Sequence, residues 1–351
     1  MWILTLILLI LILGIIILVH EFGHFITAKK AGVHIYEFSI GMGPLIKSFK
    51  GKDGIYYNIR AFPVGGFVAM AGEVYEDDDT KKIPKDKFMC NKKWWQRLII
   101  LAAGVINNFI LAIVILFVMA LIWGSQSMTP KIGEVLDNYP AKDAGLVEGD
   151  TITKINGHKV STWDVAQIYL VMEDKDNIYE FEVKRENGNK DILKISPKVE
   201  KNEEGEEQKL FGFSIAQTQE KGLYESIKYA FGKFGSLLST MWITVVNLFT
   251  GKISLSSLSG PVGIYHVVGE SMKVGINQII YLVAFLSINV GLINILPIPA
   301  FDGGRILFLI IEKIKGSPIN AKFENMCHTI FFFLLIALML YITVFDLIRF
   351  A

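Results

Sequence analysis

The chain has 351 residues, 52% of them hydrophobic, a net charge of +1 and its charges gathered in a few segments, which argues against a purely soluble globular protein. No basic cluster is interleaved with aromatic residues, so nucleic acid is not an expected partner. The two cysteines, Cys90 and Cys327, lie far apart and fit neither a disulfide framework nor a thiolate metal site, and both read as unpaired structural residues.

Residues 1–19 are uncharged. They lack a basic leading segment and no small-residue cleavage pattern follows, so they read as a retained transmembrane helix, with the first span taken as residues 1–28. At the end of the apolar run stands His20-Glu21-Phe22-Gly23-His24. Histidines four residues apart fall on one helix face, about 40° apart around the axis. Both imidazoles can therefore reach one zinc ion, and Glu21 can poise a water molecule beside it. Such groups are costly in a membrane-length helix and mark a site of function.

Residues 29–96 form the first connection. Residues 55–60 alternate with β-rich content, and Phe62-Pro63-Val64-Gly65-Gly66-Phe67-Val68-Ala69-Met70 follows, with Gly72-Glu73 closing the unit. Gly65-Gly66 is expected to supply the turn of a membrane-associated β-hairpin. Two readings of that hairpin stand side by side: a cap on the helix bundle, or an unpaired edge that receives an unwound substrate strand. Glu76-Asp77-Asp78-Asp79 reads as a solvated loop. A second span is expected over residues 97–124.

Residues 128–200 carry a different signal. Ile132-Gly133-Glu134-Val135, Pro140-Ala141, Ala144-Gly145-Leu146, Gly149-Asp150, Ile152 and Ile155-Asn156-Gly157 resemble a PDZ domain in the permuted order common in bacterial proteases. Asn156-Gly157 reads as a hairpin turn, and residues 178–183 and 192–195 as later strands. Residues 198–208 are charged and read as an exposed loop or hairpin tip. A docking module and an inert spacer both fit this segment. Lys228 and Lys233 interrupt the apolar stretch of residues 224–250, so residues 220–272 read as an amphipathic, interfacial helical region.

The third span, residues 274–304, ends in Asn294-Ile295-Leu296-Pro297-Ile298-Pro299-Ala300-Phe301-Asp302-Gly303-Gly304. Pro297 and Pro299 break the helix and free backbone groups that need a partner or a wet cavity. Zinc in hydrolases typically takes three protein ligands, and Asp302 is the candidate third. The alternative is a helix-ending acid stabilised by Arg305. His34, His158, His266 and His328 lack a partner at ligand spacing and read as surface or packing residues. A fourth span covers residues 326–347. Lys and Arg crowd the connections between the first two and the last two spans, which places those connections in the cytoplasm and the termini and residues 125–273 outside. The fold class is a multi-pass α-helical membrane protein of about four transmembrane helices, with a cytoplasmic membrane-associated β-hairpin region and one extracytoplasmic PDZ domain of α+β build.

Together with Gly41-Met42-Gly43-Pro44 and Gly260-Pro261-Val262-Gly263, these motifs resemble the site-2 proteases, intramembrane zinc metalloproteases, and most closely the bacterial RseP/RasP-type regulators of sigma. The resemblance covers nearly the whole chain. It implies one zinc ion held by His20, His24 and Asp302, with Glu21 as catalytic base. It also implies Asn294 as a substrate-orienting side chain and Val64, Gly65, Gly66 and Phe67 as a strand-like substrate clamp. Implied substrates are single-span proteins of the bacterial plasma membrane already trimmed outside, such as anti-sigma factors, and remnant signal peptides. The PDZ module would filter them by size or dock a new C-terminus. Two positions depart from the pattern: Val105 stands after Gly104 where proline is usual, and Phe301 precedes Asp302 where leucine is usual. Neither is a ligand position, so altered packing is expected. Two rival classes, a zinc scaffold without catalysis and a metal transporter, are disfavoured by the intact Glu21 and by the lack of repeated ligand-bearing spans.

Overall fold

A computed structural model describes residues 2–72, 83–172, 177–201, 207–255 and 258–350. Glu73 and the acidic run of residues 76–79 lie outside the described residues. From the N-terminus, α1 (Trp2–Lys30) leads into β1 (Ile35–Lys50), β2 (Tyr56–Met70) and α2 (Trp94–Trp123). Then come β3 (Ser125–Gln126), β4 (Ile132–Val135), α3 (Pro140–Asp143), β5 (Thr151–Ile155), β6 (His158–Lys159) and α4 (Trp163–Val171). Strands β7 (Tyr179–Lys184), β8 (Lys190–Ile195), β9 (Lys198–Lys201), β10 (Glu207–Leu210), β11 (Phe213–Ile215) and β12 (Gln219–Glu220) follow. The chain ends in α5 (Leu223–Phe249), α6 (Pro261–Val274), α7 (Ile276–Ile295), α8 (Asp302–Lys315) and α9 (Ala321–Phe350).

The chain divides into two compact units, Met1–Ile115 with Ser256–Ala351, and Leu116–Leu255. Among the described residues, α1, α2, α7 and α9 are the four helices long and apolar enough to cross a membrane. Helix α1 alone reaches about 43 Å at 1.5 Å per residue, more than the roughly 30 Å of a bilayer's hydrocarbon core. Its last turn carries Lys29 and Lys30, which favour the negative end of the helix dipole and the membrane surface. Leu9, Ile12 and Ile16 of α1 pack with Val268 of α6 and Leu282 and Leu286 of α7. Towards the other end of α1, Phe25 and Ala28 pack with Ile35, Phe38, Val68 and Ile100.

The hairpin is present, but Gly65-Gly66 does not turn it. Strand β2 runs through both glycines, and the turn lies at residues 51–55, closed by Gly51 N–H donating to Ile55 O at 2.9 Å. Gly65, with φ +84°, bends the strand instead, and Gly41 and Gly43, with φ +85° and +82°, bend its partner. The bent pair folds back on itself: Ser39 has Phe67 on one side and Asn58 on the other. The segment around Phe67 therefore lies at the outside of this sheet, beside α1. The proline-broken third span appears as two helices, α7 and the shorter α8, separated by residues 296–301.

The second unit is strand-rich. Its largest sheet has the order β6-β5-β7-β8, with antiparallel pairs throughout. Tyr179, Phe181 and Val183 alternate along β7 and are fully buried, as a strand with one face on a core requires. Helix α4 begins at Thr162, whose hydroxyl accepts from Val165 N. The charged segment expected as a loop or hairpin tip is a hairpin of β9 and β10, and residues 202–206 lie outside the described residues. Beyond it, β11 pairs with β4, so this fold continues past residue 200 to Ile215. The stretch expected as an amphipathic helix is α5, whose Lys233 pairs with Asp164 at 2.7 Å and whose Ser236 hydroxyl donates to Asp164 at 2.7 Å.

Candidate active site

The i, i+4 spacing places His20 and His24 on one face of α1, where both are buried. Helix α2 crosses α1 at that face. It can do so because Gly104 has no side chain: a Cβ there would come 2.5 Å from His24 Nε2 and 2.6 Å from His20 Nε2. Gly23, between the histidines, is likewise pressed against the backbone of Ala103.

Asp302 arrives from the other direction. Helix α7 stops at Ile295, and the connecting segment is held by its own bonds, Ile298 N–H to Leu296 O at 2.7 Å and Phe301 N–H to Ile298 O at 3.1 Å. Ala300 sits at φ +92°, a strained conformation for a residue with a side chain, and its N–H donates to Nδ1 of His328 at 2.9 Å. Asp302 then opens α8, where a carboxylate suits the positive end of the helix dipole.

Three donor atoms converge. Asp302 Oδ2 lies 2.9 Å from His20 Nε2 and 3.2 Å from His24 Nε2, and the two nitrogens are 3.2 Å apart. A tetrahedral zinc ion with bonds of 2.0–2.1 Å spaces its donors roughly 3.3 Å apart, so the set fits the ion with little adjustment. Two imidazoles and one carboxylate are also the donor chemistry of a hydrolytic zinc site with a position left open. Among the described residues this is the one cluster of His, Cys, Asp or Glu arranged to hold a metal. His24 Nδ1 lies 2.7 Å from Ile100 O, and because a carbonyl only accepts, Nδ1 carries the proton and Nε2 faces the cluster as a lone pair.

Beside the cluster is a cavity of about 240 Å³, lined by Glu21, His24, Phe67, Val68, Asp302 and Arg305 among others. A Cβ at Gly66 would lie 3.9 Å from Glu21 Cγ, so the strand and the glutamate are neighbours. Of the residues expected to touch substrate, Phe67 lines the cavity and Gly66 adjoins Glu21. Gly65 and Asn294 are not among the lining residues, and the Asn294 amide donates to Val290 O one turn back on its own helix at 2.9 Å.

The sequence reading gave four contributors no role at the site: Gly104, Ile100, Asn108 and His328. The first two act through backbone or through the lack of a side chain and leave no signal in the residue type. Asn107 and Asn108 did leave one, since adjacent amides inside a membrane-length helix are costly. His328 was expected to pack only; its ring does stand 5.7 Å from Phe308, but it also anchors the segment leading to Asp302. His34 meets Tyr36 edge-on, and His158 and His266 stack on Tyr169 and Phe350, as packing residues do.

Residues 8–338 match the family model described as Peptidase family M50. The Regulator of sigma-W protease RasP of Bacillus subtilis (strain 168) is 35% identical over an alignment covering 99% of each chain. The Zinc metalloprotease RasP of Bacillus licheniformis is 32% identical, over 98% of this chain and 99% of its own. A protein of Clostridium perfringens (strain 13) is 38% identical over 95% of each chain.

Proposed function

The chain belongs to peptidase family M50 and is a zinc metalloprotease with membrane-spanning helices, and from this we propose that it cleaves peptide bonds within the transmembrane segments of other membrane proteins. In this reading His20, His24 and Asp302 hold the zinc and Glu21 is the general base. The observation that carries it is the convergence of three donor atoms within 3.2 Å of one another, beside a glutamate, two of them on a membrane-length helix.

A zinc ion held by these residues would supply Lewis-acid chemistry, polarising the scissile carbonyl and acidifying water. Glu21 takes a proton from the attacking water and returns it to the departing amine, the work of one positioned carboxylate acting as base and then acid. A helical substrate hides its amides in internal hydrogen bonds, so it must unwind before attack. The outer segment of β2 around Gly66 and Phe67 offers an edge along which an unwound strand can align by main-chain bonds. Val64 and Gly65 extend that clamp, and Asn294 orients the strand from the end of α7. The cavity between Phe67 and Asp302 holds the bond to be cut.

The substrates we propose are single-span proteins such as anti-sigma factors, already trimmed outside, and remnant signal peptides. The name of the Bacillus subtilis relative, Regulator of sigma-W protease, supports that class. The second unit would be a PDZ domain on the outer side of the bacterial plasma membrane, with the termini on the same side and the zinc near the cytoplasmic face. A groove of about 630 Å³ supports the assignment; it runs between α4, with Trp163 and Leu170, and the segment from Lys209 to Phe213. Such a groove suits a substrate C-terminus bound as an added strand.

The test is cleavage of a pre-trimmed single-span reporter by purified protein beside Glu21→Gln, with zinc measured in both. The reading expects cleavage by the wild type alone and equal zinc. Equal cleavage by both would remove Glu21 from its role, and cleavage only outside the spanning segment would remove the intramembrane site.

A further inference from the structure

We propose that Asn108 is a positioning residue for the zinc centre: its carboxamide oxygen accepts the Nδ1–H of His20 and thereby keeps the Nε2 lone pair of His20 directed at the site. The inference rests on the reading of His20 as a zinc ligand.

The two histidines set the problem. A histidine that binds a metal through Nε2 must carry its proton on Nδ1, and that proton needs an acceptor. His24 has one, the carbonyl of Ile100 at 2.7 Å. His20 Nδ1 instead faces the amide nitrogen of Asn108 at 3.3 Å, inside the protein. An amide nitrogen only donates, so this pairing would make Nδ1 the acceptor and move the ring proton to Nε2. Nε2 would then present a hydrogen to the cluster in place of a lone pair.

The other end of the same carboxamide resolves the conflict. Asn108 is fully buried, and its Oδ1 has no hydrogen-bonding partner among the described residues. A buried, unpartnered carbonyl is rare in folded proteins. The oxygen and nitrogen of a carboxamide exchange places by a half-turn, and only the hydrogen-bond network distinguishes them. Turned so, Oδ1 takes the His20 Nδ1–H, and the orphaned acceptor and the wrong tautomer are both removed.

The helix is held so that this side chain faces His20. Ser287 of α7 donates its hydroxyl to the backbone carbonyl of Asn108 at 2.9 Å. The adjacent Asn107 donates to Val19 O of α1 at 3.2 Å. One histidine is thus oriented by a backbone carbonyl and the other by a side chain, and only the second can be changed by substitution.

The test uses full-length protein in detergent and a zinc titration against a competing chelator. Asn108→Leu, which keeps the bulk and removes the acceptor, is expected to weaken zinc binding about 10–100-fold, the usual loss when a ligand's hydrogen-bonding partner is removed. Asn108→Asp, which keeps an acceptor, is expected to bind zinc close to the wild type. Wild-type affinity in Asn108→Leu, or equal losses in the Leu and Asp variants, would overturn the proposal. His20→Ala is expected to lose the site; wild-type affinity there would overturn the ligand reading itself. Should Asn108→Leu fail to fold, ¹⁵N-histidine NMR of the zinc-loaded wild type decides. A protonated, slowly exchanging Nδ1 on His20 is expected, and an unprotonated one overturns the proposal.

Discussion

The two units differ most in the residues they turn outward. In the strand-rich unit Tyr179, Phe181, Ile152 and Ile155 are fully enclosed, while Lys154 and Lys190 reach across the surface to Glu182. In the helical unit His20, His24, Asn108, Ser287 and Asp346 are buried, while Phe332, Phe333 and Leu334 of α9 face outward. The outward apolar residues of the helical unit sit on a helix long and apolar enough to cross a membrane, and that changes what burial means there. In the first, an enclosed side chain is core. In the second, lipid can solvate apolar groups, so enclosed polar groups mark what the fold is built to hold.

Substitutions that separate the two kinds of burial sharpen the comparison. Gly104→Ala should have the largest effect, because its Cβ would stand 2.5–2.6 Å from both ligand nitrogens. Zinc content near zero and no measurable cleavage are expected, with the melting of the strand-rich unit unchanged. Retained zinc would mean that the helix crossing yields, and the packing argument would fail. Phe181→Ala should destabilise the strand-rich unit by ~3–5 kcal/mol, the typical loss for a fully buried phenylalanine. Hydrogen exchange should show this as faster exchange in β5, β7 and β8, with zinc binding intact. Loss of zinc alongside it would break the separation of the two units.

The smallest effect concerns pH. Hydrogen bonds from Lys154 and then Lys190 hold the Glu182 carboxyl down at about 2, against an ordinary 4.5. A carboxyl lowered on folding stabilises the fold above its ordinary pKa, and that stabilisation fades as pH falls through the folded value. Glu182→Gln should therefore lower the unfolding midpoint of this unit slightly at pH 7. The difference should shrink between about pH 4.5 and 2. A difference that stayed constant over that range would assign the effect to packing.

The site was legible in the sequence where its logic is local. His20 and His24 are one helical turn apart, and the prolines at 297 and 299 announce a break that leaves Asp302 at a helix start. The four membrane-length helices followed from uncharged runs alone. What depended on distant partners was not legible. Gly65-Gly66 carries the residues of a turn, yet the strand passes through because β1 bends in step with it. Gly104 matters only because two imidazoles lie opposite. The strand β11 was missed because its sheet partner, β4, lies far back in the chain, before β5 to β10. Helix α8 was not foreseen because, beyond residue 304, it lies in the connection between the third and fourth spans, which was read only for its charge.

The central claim is that His20, His24 and Asp302 hold the catalytic zinc, and X-ray absorption at the zinc edge of the purified protein tests it most directly. The account predicts a first shell of nitrogen and oxygen with two imidazoles, one zinc per chain, and loss of the metal in His24→Ala and Asp302→Ala. Sulfur in the first shell, or full zinc occupancy in both variants, would contradict it.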